Sequence, residues 1–468
     1  MSSHSLGVPF FHQLEGVMSK ITGQIGIRFE AWPLFIFGLA IIFTSLVVMP
    51  QASLLAISMA LFLAPVWLPF LLSGEAWKVF VIMRRSEFIA KQEYILLEIK
   101  PPRNLVKTPL AMEAFLSGLH ITGGESTWYD RFRGGIRPFF SLEVASLEGR
   151  VHFFIWTRAS LRRVIESNLY AQYPGVQLTE APDYARMISG HDHEWFVWGC
   201  DFKETAASPL PIKTYVEYGL DKVQEEPEQV DPLANLIEFM ASIGKGEYLW
   251  LQFVIRAHKG ERYGSTPMGN ASFRLNKKGK PYTWKDEAYE LIESIRKDTR
   301  GAYTDDEGNE KFAFPNPTKG ESEKMAAIDR NVSKLGFDVG IRSIYLARHD
   351  KRIGGTIAQM IVLFKPFTTE GWNGLNSIKW MKTFDDYPWE FNSEKRKAHY
   401  RHELLEAYRR RQYFYNPFYE GGLLADKTPI MSTEELATVF HIPSSSVQTP
   451  SLERSTSAVA GAPANLPI

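Results

Sequence analysis

The pattern of hydrophobic and polar positions begins with a run that has no charge. From Ala31 to Gly74 no charged residue occurs. "AWPLFIFGLAIIFTSLVVMP" (31–50) and "QASLLAISMALFLAPVWLPFLL" (51–72) each approach the roughly 20 apolar residues that span a bilayer. Pro50 and Gln51 mark a turn between them, and Pro65 and Pro69 predict a kink that membrane helices tolerate. Trp32, Trp67 and Trp77 fall near the predicted ends, where aromatic belts form. The pattern predicts a two-helix transmembrane hairpin over 31–73, after an N-terminal segment 1–30. A signal peptide would start nearer the N-terminus and carry a small-residue cleavage site. Lys20 and Arg28 precede the hairpin, and Lys78, Arg84, Arg85 and Lys91 follow it. The positive-inside rule then puts both termini and the bulk of the chain on the cytoplasmic side of the inner membrane.

From Glu93 the period changes. "EYILLEI" reads as a strand, and "TPLAMEAFLSGLH" as a helix capped by Thr108 with Pro109 first. "FFSLEVASLEG" and "RVHFFIWTR" alternate and meet at Glu148-Gly149, a hairpin signal. "ASLRRVIESNLYAQYP" reads as an amphipathic helix and "VQLTEAPDY" as a strand. The order β-α-β-β-α-β predicts a ferredoxin-like module over 74–185.

A second α/β module is predicted over 186–390. "EWFVWGCDF", "IKTYVEY", "EYLWLQFVIRA" and "FDVGIRSIYLA" read as strands; "DPLANLIEFMASI", "ESEKMAAIDRNVSK" and "GGTIAQMIVLFKPF" read as helices. "TPLAMEAFLSGL" and "DPLANLIEFMASI" share cap, Pro, Leu, Ala and an apolar stripe. Either a duplicated unit or a common way of starting a helix accounts for that. A polar insertion at 258–320, with one helix near 284–299, interrupts the module and is long for a loop. A C-terminal helical segment, 391–443, follows, with a charged helix at 393–414. It closes on "MSTEELATVFHIP", where Ser432 or Thr433 caps, Glu434 and Glu435 enter the first turn and Pro443 stops the helix. The tail 444–468 lacks periodicity and reads as disordered. The fold class is α+β: a transmembrane hairpin, then two ferredoxin-like α/β sandwich modules.

Composition narrows the chemistry. The chain has 468 residues, 45% hydrophobic and 23% charged, with 53 basic and 53 acidic residues. That balance argues against a protein built mainly to coat nucleic acid. Cys200 is the single cysteine, so a disulfide framework and a cysteine-based zinc site are excluded.

No G-x-x-x-x-G-K-[ST] loop is present: Gly244-Lys245 is followed by Gly246, and Gly279-Lys280 by Pro281. No G-x-S-x-G elbow marks a nucleophile. His191, His193 and Glu194 could ligate a metal, but a polar turn is the better account of them since no third ligand is evident. His399, His402 and Glu403 lack the H-E-x-x-H spacing and read as a solvated helix face. Two basic clusters remain. Arg131, Arg133 and Arg137 lie in the Gly-rich "RFRGGIR", and Arg409, Arg410 and Arg411 are interleaved with aromatics in "YRRRQYFY". Either could meet a partner or nucleic acid; either could be a solvated face or a salt-bridge set. No cofactor is expected.

"EYILLEIKPPRNLVKTPLAMEAFLSGLH", "FSLEVASLEGRVHFFIWT", "IESNLYAQYPGVQLTEAPDY", "DPLANLIEFMASIGKGEYLWLQFVIRA", "IDRNVSKLGFDVGIRSIYLA" and the closing "MSTEELATVFHIP" occur in an order that resembles a known family. It is the N-terminal, non-ATPase region of membrane-anchored HerA/TraC-like DNA-pump proteins, of the conjugation and type IV secretion type, from Patescibacteria and archaea. The resemblance implies architecture more than activity. It implies that the closing helix leads into an ATPase core, here joined to or docked on a motor carried by another polypeptide. The expectation is therefore a non-catalytic scaffold held in the lipid bilayer. It would work with a separate HerA/TraC-like ATPase in a DNA- or protein-translocating complex, with self-association into an oligomer by analogy. The rival expectations are a metal-dependent membrane enzyme using His191 and His193, and a self-assembling envelope protein.

Overall fold

The computed structural model describes residues 31–103, 105–124, 127–188, 194–222, 231–260, 282–299, 302–304, 310–312, 316–379, 393–415, 429–444 and 454. The helices are α1 (Ala31–Val48), α2 (Pro50–Ala90), α3 (Pro109–Gly118), α4 (Trp128–Phe132), α5 (Arg162–Gln172), α6 (Pro232–Ala241), α7 (Trp284–Asp298), α8 (Lys319–Ser333), α9 (Gly354–Ile361), α10 (Ser393–Arg409) and α11 (Thr433–Val439). The strands are β1 (Tyr94–Lys100), β2 (Phe139–Leu147), β3 (Arg150–Arg158), β4 (Gln177–Ala181), β5 (Trp195–Glu204), β6 (Glu247–Ala257), β7 (Ala302–Thr304), β8 (Glu310–Phe312), β9 (Gly336–Arg348), β10 (Leu375–Lys379) and β11 (Ile430–Ser432).

The chain is α+β, as the alternation of periods predicts, and its main sheet is antiparallel. The strand order is β10-β5-β9-β6-β2-β3-β1-β4, with β11 added to β9. Each half reads 4-1-3-2 in its own strands, so the two expected modules form halves of one sheet rather than two separate sandwiches. They join where β2 pairs with β6, from Phe139↔Arg256 to Leu147↔Tyr248, and Glu143↔Gln252 sits at the centre of that seam. The helices with the shared Pro-Leu-Ala opening, α3 and α6, each follow the first strand of their half. Their likeness in sequence is matched by equivalent places in the topology.

The hairpin between β2 and β3 turns on Glu148 and Gly149, both with positive φ (54° and 87°), the backbone of a two-residue turn whose twist suits the strands. One sheet face is apolar. Met112, Phe115, Leu142, Leu169, Leu236, Phe253, Ile341 and Leu436 belong to the core packed there by α3, α5, α6, α9 and α11. α6, from the second half, packs on β2 and β3 of the first, and α11 packs on α3. The opposite face is covered by α10 and by Phe88 and Ile89 of α2.

Two expectations need correction. "IKTYVEY" is not a strand: it is an irregular segment whose Tyr215 amide donates to Thr438 Oγ1 at 2.9 Å, which packs it under α11. The closing helix is not free to dock elsewhere. All seven residues of α11 are buried, and Ser432 and Glu435 form a capping box inside the core. The 258–320 insertion carries α7 where expected and a β7–β8 hairpin; 261–281 lie outside the described residues. So do 1–30, and the tail apart from Ser444 and Arg454.

α2 runs unbroken for 41 residues through Pro65 and Pro69. Among the described residues no single helix is long and apolar enough to cross a membrane. The pair Phe37–Val48 and Pro50–Val66, bent by 119°, has that length and composition only when taken together.

Candidate functional site

The polar-facing side of the sheet holds the unusual chemistry. Successive inward positions of β2, β6, β9 and β5 place Glu143, Gln252, Arg256, Asp338, Arg342 and Asp201 in the interior, all nearly inaccessible to solvent. Buried charges survive only when paired and hydrogen-bonded. Arg342 Nε donates to Asp201 at 2.8 Å. Arg256 donates twice to Asp338 Oδ2, at 3.0 and 2.6 Å, while His258 Nδ1 meets Asp338 Oδ1 at 2.8 Å. Burial pushes the Asp338 pKa up, but Arg256 and His258 outweigh it and hold the carboxyl well below its usual range.

The segment that seals this face is α10 with its extension to Tyr415. The helix ends in a Schellman arrangement: Arg411 N–H donates to Tyr408 O and Gln412 N–H to Ala407 O. The residue at the left-handed position is Arg411, φ +49°, where glycine is usual. Its side chain explains the exception. Arg411 donates to Glu143 from Nε at 2.9 Å and to Asp183 from two nitrogens at 2.6 and 2.9 Å. Tyr184 OH donates to Glu143 at 2.7 Å, and Gln252 Nε2 to both Glu143 and Tyr408 O at 3.2 Å. Desolvation opposes the Arg411 charge, but Glu143 and Asp183 more than offset it and raise its pKa. Burial, reinforced by Glu143, pushes the Tyr184 and Tyr408 phenols well above their ordinary value.

Beyond the seal, Arg342 donates to Gln412 O at 3.2 Å, and Arg256 lies 4.6 Å from the Phe414 ring centre. The sheet is shaped for this extension. A Cβ on Gly340 would stand 2.2 Å from the Tyr413 ring, and one on Gly199 would stand 2.7 Å from Leu404.

Between the end of α2 and the end of α10 opens a cleft of about 1090 Å³. Tyr94 and Trp156, stacked at 4.2 Å, line it together with Tyr415. Ile89 of α2, Arg186 and Arg410 complete its walls. Arg186 has an 80% exposed side chain and meets Asp183 at 3.6 Å, while Arg410 is half-exposed over Glu406.

The two basic clusters of the sequence are thus divided. Arg137 and Arg411 are buried and are not surface contacts, which corrects the expectation that they meet a partner or nucleic acid. Arg137 donates to Ala257 O at 2.8 Å, and its backbone N–H donates to Tyr415 OH. Arg409 bridges Glu406 and Ala185 O. Arg410 reaches the cleft, and Arg133 stacks on Tyr129 at 4.3 Å. The Arg131 side chain lies outside the described residues, as do His191 and His193. His399 pairs with Glu403 at 3.1 Å on α10. Among the described residues no group of three His, Cys, Asp or Glu could hold a metal ion. Sequence reasoning missed Glu143, although a carboxylate in mid-strand between apolar neighbours signals a buried cation partner.

The pattern of one family, described as Domain of unknown function (DUF8128), matches residues 85–455. The chain belongs to the DUF8128 family. No protein of curated function and no solved structure matches it. The DUF8128 match begins at Arg85, whose guanidinium is buried 5.5 Å from the Tyr415 ring centre. It takes in both halves of the sheet, the sealing segment, α11 and the last turns of α2, and leaves α1 and the apolar part of α2 outside.

Proposed function

We propose that this DUF8128 protein is a membrane-anchored, non-catalytic docking subunit. It would fix a double β-α-β-β-α-β body to the inner membrane and offer the α2–α10 cleft to a separate ATPase of a type IV secretion-like translocation complex. The observation that carries this reading is α2 itself. Its first part displays Leu54, Leu55, Leu61, Phe62 and Val66 to the outside, a larger apolar surface than soluble proteins leave uncovered. The same helix then enters the core through Val81, Arg85, Phe88 and Ile89 without a break. A continuous helix transmits position, rising about 1.5 Å per residue with no hinge between lipid and body. The two-helix hairpin, cytoplasmic termini and the ATPase partner rest on charge distribution and on the family resemblance.

The experiment is fractionation followed by reconstitution. The full chain is expected to stay with membranes through an alkaline wash, to need detergent for extraction, and to hydrolyse no ATP alone. It is expected to bind a HerA/TraC-like ATPase from the same genome. ATP turnover by the pure chain, or its recovery without detergent, overturns the reading.

A further inference from the structure

The short helix α4 lies beside α2 just beyond the apolar stretch. Phe132 meets Phe80 with ring centres 5.3 Å apart, and Gly134 packs so closely that a Cβ there would stand 2.2 Å from Arg84 O. On the outer side of this junction, Val79 is 64% exposed, Met83 50% and Tyr129 53%. Val79 and Met83 are one turn apart on one helix face. The guanidinium of Arg133 lies flat on Tyr129 and donates to its hydroxyl at 2.7 Å. Arg84 stands beside Glu87, with both side chains partly exposed. Among the described side chains the acids of the junction are already engaged: Glu87 by Arg84, and Asp130 by the Thr127 amide at 3.0 Å.

We infer that this α2–α4 patch is an interfacial contact that seats the protein body on the anionic phospholipid headgroups of the membrane that α2 enters. The inference rests on the anchored reading above. Three features identify the occupant. The patch continues the apolar surface of α2, so the lipid that covers one reaches the other. Val79 lies seven residues past Leu72, about 10 Å along the axis, which places it at the outer edge of a headgroup layer roughly 5–7 Å deep. Exposed aliphatic, tyrosine and arginine side chains in one small area match that layer, since arginine stems snorkel and tyrosine rings settle at the interface. The function of the contact is orientation: beside the continuous α2 it adds a second point of attachment, which fixes which face of the sheet meets a partner.

The test uses the full chain. Cys200 is buried, so Tyr129→Cys or Met83→Cys supplies one reactive thiol for a polarity-sensitive fluorophore. Tyr289→Cys, on exposed α7, is the reference position. The labelled chain is reconstituted into phosphatidylcholine vesicles with or without phosphatidylglycerol and floated on a density gradient. In the anionic vesicles, labels at 129 and 83 are expected to shift to the blue and be quenched by spin-labelled lipid, while the label at 289 stays in water. Arg84→Gln and Arg133→Gln should each lower the docked-to-undocked ratio about fivefold. A chain that floats with labels at 129 and 83 as water-exposed as that at 289 overturns the interfacial contact and leaves the anchor standing. A chain that does not float overturns both. Protection of these labels by a single-stranded oligonucleotide, with no response to lipid, reassigns the patch to nucleic acid and overturns the inference.

Discussion

Arg411 and Glu143, 268 positions apart in the chain, meet at 2.9 Å with both side chains fully buried. Their contact lies at the centre of the seam between the two halves of the sheet, where Glu143 is paired with Gln252. The left-handed backbone of Arg411 costs about 1–3 kcal/mol by itself and persists only because the surroundings over-determine it. The ion pair therefore does more than add a contact: it locks the α10 extension onto the first half, and Gln252, donating to both Glu143 and Tyr408 O, ties the same cluster to the second.

Replacing Arg411 by glycine relieves the backbone strain, yet it is expected to destabilise the protein. Glu143 would be left as a buried carboxylate without its cation, a loss of about 3–5 kcal/mol in comparable pairs. Thermal or urea unfolding of the detergent-solubilised chain measures this. Arg411→Gly should unfold well below wild type, and Glu143→Leu combined with Arg411→Met should recover much of the difference. A glycine variant as stable as wild type would show that the pair does not hold the seal.

Gly340→Ala tests the fit of the extension. The added Cβ stands 2.2 Å from the Tyr413 ring, so the ring or strand β9 must move. Overpacking of this kind costs about 1–3 kcal/mol. Adding Tyr413→Ala should remove most of that penalty, and a double-mutant cycle in urea reports the coupling. Additive effects of the two changes would mean that Tyr413 does not rest on Gly340.

The closing helix gives a pH dependence with a definite sign. Burial pushes Glu435 up to about 7 from an ordinary 4.5. At the other end of α11, His441 loses to burial but gains more from Asp231, 3.0 Å away, and its pKa rises above 6.5. A raised pKa stabilises the fold at low pH and loses that contribution as pH climbs. The stability supplied around Glu435 should fall between pH 4.5 and about 7, and that of His441 as pH passes its folded value above 6.5. Asp231 and Glu434 are desolvated too, but their partners outweigh this and lower both, so their contribution disappears only in stronger acid. The melting temperature should therefore drop from about pH 5 to pH 8, and Glu435→Gln should flatten the lower part of that slope. A wild-type profile that rises through this interval would contradict the assignment.

How far these features were legible depends on the distance over which they are determined. The first half follows from local signals: β2 and β3 alternate, Glu148-Gly149 turns, and Pro109 starts α3, each within a few residues. The second half shows the same order, but "IKTYVEY" imitates a strand because its sequence alternates, whereas Thr214 and Tyr215 are both buried against α11 rather than on opposite faces of a sheet. β11 has only three residues and exists because β9 leaves an edge at Gly336–Asp338 for it. Arg137 and Arg411 read as solvent-facing charges since their partners lie in distant segments. Nothing within "YRRRQYFY" tells Arg411, fully buried, from Arg410, which is not. The informative local sign was on the other strand, at Glu143, buried on a sheet whose both faces are covered.

The cleft supplies the last prediction, which separates docking from folding. Arg186 and Arg410 stand at its walls, solvent-accessible, and each is paired to a carboxylate of its own neighbourhood. Surface pairs of this kind contribute about 0–1 kcal/mol to stability. Arg186→Glu and Arg410→Glu should therefore leave the melting temperature nearly unchanged. If the cleft receives an ATPase, the same substitutions reverse charge at the contact and should slow association, with the effect shrinking as salt rises. Binding of the reconstituted protein to the ATPase, followed at two ionic strengths, distinguishes the cases. Weaker binding at low salt with unaltered unfolding places the partner at the cleft. Unchanged binding by a folded double variant removes the cleft from the docking surface and shifts attention to the opposite face, where α3, α5 and α6 lie.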